Sequence, residues 1–152
     1  MNIVELSDKY IGEVLRIYKT EKSEYFRAIG KEMPTDEEIL HSLNGKDTGS
    51  ISFAFVEKSV TYGMVTVNKS TAEIENLCID YAIADKAARQ RMLEFSIKQF
   101  STITLVFIWT DTTEVTLSNL LEDYGFEYTG EQDYVNKERS ISKYKYVFRR
   151  KK

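Results

Sequence analysis

Ile103-Thr104-Leu105-Val106-Phe107-Ile108-Trp109 is a mostly apolar run of strand length, and Asn119-Leu120-Leu121-Glu122-Asp123-Tyr124-Gly125-Phe126-Glu127 follows it closely. The first stretch reads as a central strand covered on both faces, since a half-exposed strand would alternate with polar residues. The second reads as the end of a short helix over Thr116 to Tyr124. Gly125 stops that helix, because glycine takes the left-handed C-terminal cap without the penalty of a Cβ. A buried strand, a short helix and an abrupt glycine stop place this part of the chain in a layered α/β domain.

Working outward, Glu127 to Tyr134 and Ser142 to Arg149 read as two closing strands. Upstream, a helix is expected from near Asp85 to about Phe100. Before it, Ala72 to Ile79 has the residues of a strand, with Ile74, Leu77 and Ile79 as its apolar members. Ile51 to Val56, the turn Glu57-Lys58-Ser59, and Val60 to Val67 with Gly63 inside form a hairpin. Thr35 and Glu38 have the spacing of a capping box, so a second helix starts there and ends near Asn44-Gly45. Ile3 to Leu6 is a first strand, and Ser7 can cap a helix over about Asp8 to Thr20 with Ile11, Val14, Leu15 and Tyr18 on one face. The expected order is β-α-α-β-β-β-α-β-α-β-β.

The chain has 152 residues, which fits one domain over 1–152. Lys and Arg number 21 against 24 Asp and Glu, a net charge of -3 that disfavours nucleic acid as a partner. One cysteine excludes an intrachain disulfide, and one histidine excludes a multi-histidine metal site, so no metal is expected. The start Met1-Asn2-Ile3-Val4-Glu5-Leu6 lacks the basic and apolar segments of a signal peptide, and no apolar run reaches membrane-spanning length. A cytoplasmic protein that does not engage a membrane is the expectation. The basic run Arg149-Arg150-Lys151-Lys152, with Lys143 and Lys145, could touch RNA or an acidic carrier protein, or be a solvated terminus.

The element order resembles that of the GNAT superfamily of acyl-CoA-dependent N-acyltransferases over nearly the whole chain. The hairpin with Gly63, the stretch Leu77-Cys78-Ile79-Asp80 leading into the helix from Asp85, and the Gly125-Phe126 ending carry the likeness. It implies a central mixed, mostly antiparallel sheet with strands 4 and 5 splayed, flanked by about four helices. It also implies acetyl-CoA or another acyl-CoA as co-substrate. The pantetheine arm would lie along Leu77, Cys78 and Ile79, and the pyrophosphate at the helix N-terminus, on Lys86, Ala87, Ala88 and Arg89. The family's pyrophosphate loop carries a Gln or Arg followed by two glycine positions. Here Ala84, Ala87 and Arg89 occupy them. Asp85 would cap the helix with a charge that opposes a phosphate.

The family resemblance also implies a carboxylate base on the fourth strand, either Glu73 or Glu75, which share a face by period-two alternation. The residue at the family's acid tyrosine is Leu121, and Glu114 stands near its usual asparagine. Tyr124 reads as a packing residue, while Tyr128 and Tyr134 are further hydroxyl donors near the cleft. Tyr25 and Phe26 could wall the site of an amine acceptor, small molecule or peptide; packing between helices explains them equally well. His41 reads as solvated. Cys78 reads as a buried, inert thiol that faces opposite to Glu75 and Leu77. An N-acetyltransferase or N-acyltransferase is the leading function. The missing glycines keep open an inactive GNAT-like interaction module, or an enzyme whose acyl donor rides on a carrier protein. A homodimer is also left open.

Overall fold

The computed structural model describes residues 1–45 and 48–150; Lys151 and Lys152 of the basic run lie outside them. The elements are β1 (Asn2–Glu5), α1 (Ile11–Ile29), α2 (Asp36–Leu43), β2 (Ser50–Glu57), β3 (Val60–Asn68), β4 (Glu73–Ile79), α3 (Lys86–Lys98), β5 (Leu105–Asp111), α4 (Val115–Tyr124), β6 (Glu127–Asn136) and β7 (Ile141–Arg149). The strands form one sheet in the order β1-β2-β3-β4-β5-β7-β6. Every pairing is antiparallel except β4 with β5, the two strands joined by the α3 crossover.

The sheet has a core on each face. Phe55, Val65, Leu77, Ile79, Val106 and Ile108 pack under α3 and α4, against Met92, Leu93, Leu117 and Leu121. On the opposite face Ala54, Met64 and Cys78 pack under α1 and α2, against Val14, Ile17, Ile39 and Leu43. Thr35 accepts the Glu38 amide at 3.2 Å and Glu38 accepts the Thr35 amide at 3.1 Å, so the capping box is complete. Gly125 is left-handed at φ 115 and ends α4 as its sequence predicts. Tyr124 packs its ring on Phe148 at 5.5 Å.

Three local readings are corrected. Helix α1 starts later and runs much further than Asp8 to Thr20, because Asp8–Tyr10 forms a 3-10 turn and the helix continues to the left-handed Gly30. Tyr128 and Tyr134 lie on β6, the outermost strand, with β7 between them and β5, so they stand away from the cleft. The third concerns β4. Thr66 pairs with Asn76 while Val67 pairs with Ile74, so Glu75 is an extra residue opposite β3, a bulge. The bulge shifts the alternation by one step. Cys78 therefore lies in the α1 and α2 core on the same face as Glu75, whereas Leu77 lies in the other core.

Gly63 shows how tightly β3, β4 and α3 meet. A Cβ there would stand 2.6 Å from the Cys78 carbonyl oxygen and 2.9 Å from the Met92 sulfur. The backbone of β4 cannot retreat without breaking its register with β3. Gly63→Ala is expected to cost about 1–3 kcal/mol, as overpacking of a core does, read as a lower denaturant midpoint at unchanged slope.

Candidate functional site

Strands β4 and β5 pair at only two positions, Glu73 with Phe107 and Ile74 with Ile108. Beyond them the strands part. From Glu75 to Ile79, β4 keeps β3 on one side and has no strand on the other, while β5 is paired with β7 along its opposite edge throughout. The bulge at Glu75 sits at the point of parting. Leu77, Cys78 and Ile79 thus border the opening through their backbone, while their side chains are buried in the two cores.

On the α1 face of this opening lies a cavity of about 340 Å³. Glu75 and Asn76 contribute from the bulge, Trp109 and Asp111 from β5, Lys143 from β7, and Tyr25 and Phe26 from α1. The two aromatics sit edge to face at 5.3 Å. Helix α1 packs on β3 and β4, leaving β5 and β7 open on this face. The turn between β6 and β7 closes the far side. Arg139 donates to the carbonyls of Arg27 and Ala28 at 3.0 and 3.2 Å, capping the C-terminus of α1. Glu75 accepts a hydrogen bond from the Ser50 hydroxyl, which orients its carboxylate. Glu73 is one step back, in the paired part of β4. Burial, and then the charge of Glu75, raise its carboxyl above the ordinary range, against Lys145 and Lys143.

A second cavity, of about 220 Å³, lies between α1, the loop after β4 and the start of α4. Glu114 lines both cavities. Its carboxylate pairs with the Lys22 ammonium at 3.5 Å, and both side chains are largely buried. Burial pushes the Glu114 carboxyl above the usual carboxylate range despite Lys22. Burial also opposes the Lys22 charge, but its acidic neighbours, Glu114 first, outweigh that and hold it protonated. Tyr81 borders the same cavity with a buried hydroxyl that has no partner among the described residues. Lys22, Glu114, Tyr81 and Asn76 are the residues that sequence reasoning left without a role. The one available signal was Lys22, a charge on the turn of α1 that otherwise carries Tyr18 and Tyr25.

At the start of α3 the Asp85 carboxylate accepts the Ala88 amide at 2.8 Å. Arg89 folds back over the loop, donating to the Ala84 carbonyl at 2.9 Å and the Tyr81 carbonyl at 3.2 Å, with its guanidinium 4.9 Å above the Tyr81 ring. Lys86 and Ala87 are exposed. The helix end therefore already holds an anion of its own, and its nearest arginine is engaged by carbonyls. Cys78 is buried, and burial pushes its thiol up to about 12, which leaves it inert. His41 is exposed.

No family model and no curated protein matches the sequence. Solved structures match its architecture. An aminoglycoside 6'-N-acetyltransferase from Enterococcus faecium superposes with a TM-score of 0.70 at 10% identity, over 98% of this chain and 97% of that chain. An N-acetyltransferase from Staphylococcus aureus Mu50 gives 0.72 at 14% identity, over 97% of each chain. The chain has the GNAT fold. A further GNAT-like match, from Bacillus anthracis str. Ames, was solved in complex with acetyl coenzyme A; it covers 66% of this chain and 62% of that chain, with a TM-score of 0.57 at 13% identity. Among the described residues of the GNAT-fold chain, no helix is long and apolar enough to cross a membrane.

Glu21 also borders the smaller cavity. Burial raises its carboxyl to about 7, and Lys22 opposes that shift. A raised carboxyl binds its proton more tightly folded than unfolded. Its stabilising contribution is complete below the ordinary glutamate value of 4.5 and is lost as pH rises through about 7. Wild type is expected to lose more thermal stability than Glu21→Gln between pH 5 and pH 8, measured as Tm at both values.

Proposed function

We propose that the chain is an N-acyltransferase that moves an acyl group from a thioester donor, acetyl-CoA or a related acyl-CoA, to an amine. The parting of β4 and β5 after two register pairs carries this reading. An unpaired strand edge offers backbone donors and acceptors to an extended amide-bearing chain, as a further strand would. The pantetheine arm is such a chain, and the edge from Glu75 to Ile79, including Leu77, Cys78 and Ile79, is where it would lie.

The two cavities divide the remaining work. The acceptor enters from the α1 face, along Tyr25, Phe26 and Trp109, and its ammonium meets Glu75 at the bulge. Glu75 takes the proton, and the freed amine attacks the thioester carbonyl. The new N–C bond forms as the C–S bond breaks, the thiolate leaves with the bonding pair, and the nitrogen gives up its second proton to water to become the neutral amide. Glu73 is the less direct candidate for the base, since it lies behind the bulge and outside the acceptor cavity. The leaving thiolate needs a proton donor, and Leu121 supplies none. The buried, unpartnered hydroxyl of Tyr81, which borders the smaller cavity just beyond β4, is the donor in this reading.

The opening suits the pantetheine arm better than the start of α3 suits a diphosphate. Lys86 and the amides of Lys86 and Ala87 are available there, whereas the Ala88 amide and the Arg89 guanidinium are already bonded. The donor is therefore held chiefly by its arm.

Transfer from acetyl-CoA to a panel of primary amines, followed by release of free thiol, tests the reading. Glu75→Gln is expected to lower kcat/KM by roughly 100-fold or more, the usual contribution of a general base. Tyr81→Phe should lower kcat with little change in donor KM. No transfer to any amine by wild type would reject the enzyme and favour an interaction module. Asp85→Ala removes a helix cap worth about 1 kcal/mol and unmasks the Ala88 amide. It should tighten acetyl-CoA binding in calorimetry while lowering Tm.

A further inference from the structure

The acceptor cavity carries three carboxylates, Glu75, Asp111 and Glu114, and three ammonium groups, Lys22, Lys31 and Lys143. Their partners separate them into two groups. Glu114 and Lys22 neutralise each other. Asp111 is buried and accepts the Thr113 amide at 2.7 Å, so it serves the turn that follows β5. Glu75 holds the Ser50 hydroxyl and is exposed beside the parting of the strands. Lys31 and Lys143 form no ion pair among the described residues. Both are exposed, Lys31 just beyond the end of α1 and Lys143 on β7, with its ammonium 5.7 Å from the centre of the Tyr25 ring. Lys145, on the same face of β7, is already paired with Glu131 at 3.4 Å and lies over the Phe107 ring at 4.4 Å.

The cavity thus has the Glu75 carboxylate at the parting of the strands, aromatic walls, and Lys31 and Lys143 at its rim. A polycation would place its second ammonium against Lys31 and Lys143. A monoamine with a carboxylate would match both ends. Resting on the acyltransferase reading above, we propose that the acceptor is a small amine that also bears a carboxylate, an amino acid with a flat side chain, and that Lys143 is the residue that selects it. The ammonium goes to Glu75, the side chain lies against Trp109, Tyr25 and Phe26, and the carboxylate goes to Lys143. A charge-assisted contact of this kind at a partly exposed rim is worth about fivefold to tenfold in affinity.

Trp109 is the only tryptophan of the chain and lines this cavity, so its fluorescence reports binding without donor or turnover. The probes are phenylalanine, phenylalaninamide and spermidine, titrated into the full chain. Phenylalanine should bind about fivefold to tenfold tighter than phenylalaninamide, with spermidine the weakest. In Lys143→Ala and Lys143→Gln the first two should become equal, through loss of phenylalanine affinity alone. Equal binding of acid and amide by wild type, preference for spermidine, or no response to any probe would overturn the proposal. A preference for phenylalanine with no acyl transfer would instead defeat the enzymatic reading and leave the amino-acid site standing.

Discussion

Two register pairs, Glu73 with Phe107 and Ile74 with Ile108, join the two halves of the sheet. Everything that could be chemical in this protein is arranged around the place where that pairing stops. Antiparallel strands on either side keep their partners, so the sheet tolerates one short seam without losing its core. The α3 crossover then separates the two strand ends, and a backbone that leaves the ladder needs water or a ligand for its polar groups. The bulge adds a second consequence. By inserting Glu75, it turns both Glu75 and Asn76 toward the α1 face, where strict alternation would have turned Asn76 away.

Across that opening, the Lys22 and Glu114 pair links α1 to the start of α4. Removing either partner would leave the other charge largely buried and uncompensated, which costs far more than the pair itself contributes. The pair therefore fixes how far α1 stands from α4 and keeps the larger cavity distinct from the smaller one. Arg139 holds the C-terminus of α1, through the Arg27 and Ala28 carbonyls. With the middle and the C-terminus of the helix held, the width of the larger cavity is set by contacts outside the sheet.

Most of the architecture was legible because it rests on local chemistry. The capping box at Thr35 and Glu38, the stop at Gly125 and the apolar run through Ile108 each act within a few residues. What was not legible depends on distant partners. The second half of α1 hid behind the polar run Glu21-Lys22-Ser23-Glu24, where Lys22 is buried only because Glu114 meets it. Period-two alternation correctly put Glu73 and Glu75 on one face, but nothing local marks Glu75 as an extra residue, so Cys78 was assigned to the wrong side. Tyr81 is similar: only the folded loop shows that its ring is covered by Arg89 while its hydroxyl lacks a partner.

The start of α3 shows where the binding energy for a donor can come from. A helix N-terminus attracts anions through its free amides and its dipole. Here Asp85 supplies the anion from within, and Arg89 spends its donors on the loop carbonyls that precede the helix. Both interactions stabilise the loop from Asp80 to Asp85, which Arg16 also ties to α1 through Asp80 at 3.1 Å. These polar groups of the loop thus have partners within the chain without a ligand. Stability and diphosphate affinity compete for the same amide and the same guanidinium, and in this chain stability holds them. On the acyltransferase reading, a thioester in the seam would be recognised by the strand edge of β4, and the length of that edge, from Glu75 to Ile79, would limit the donor.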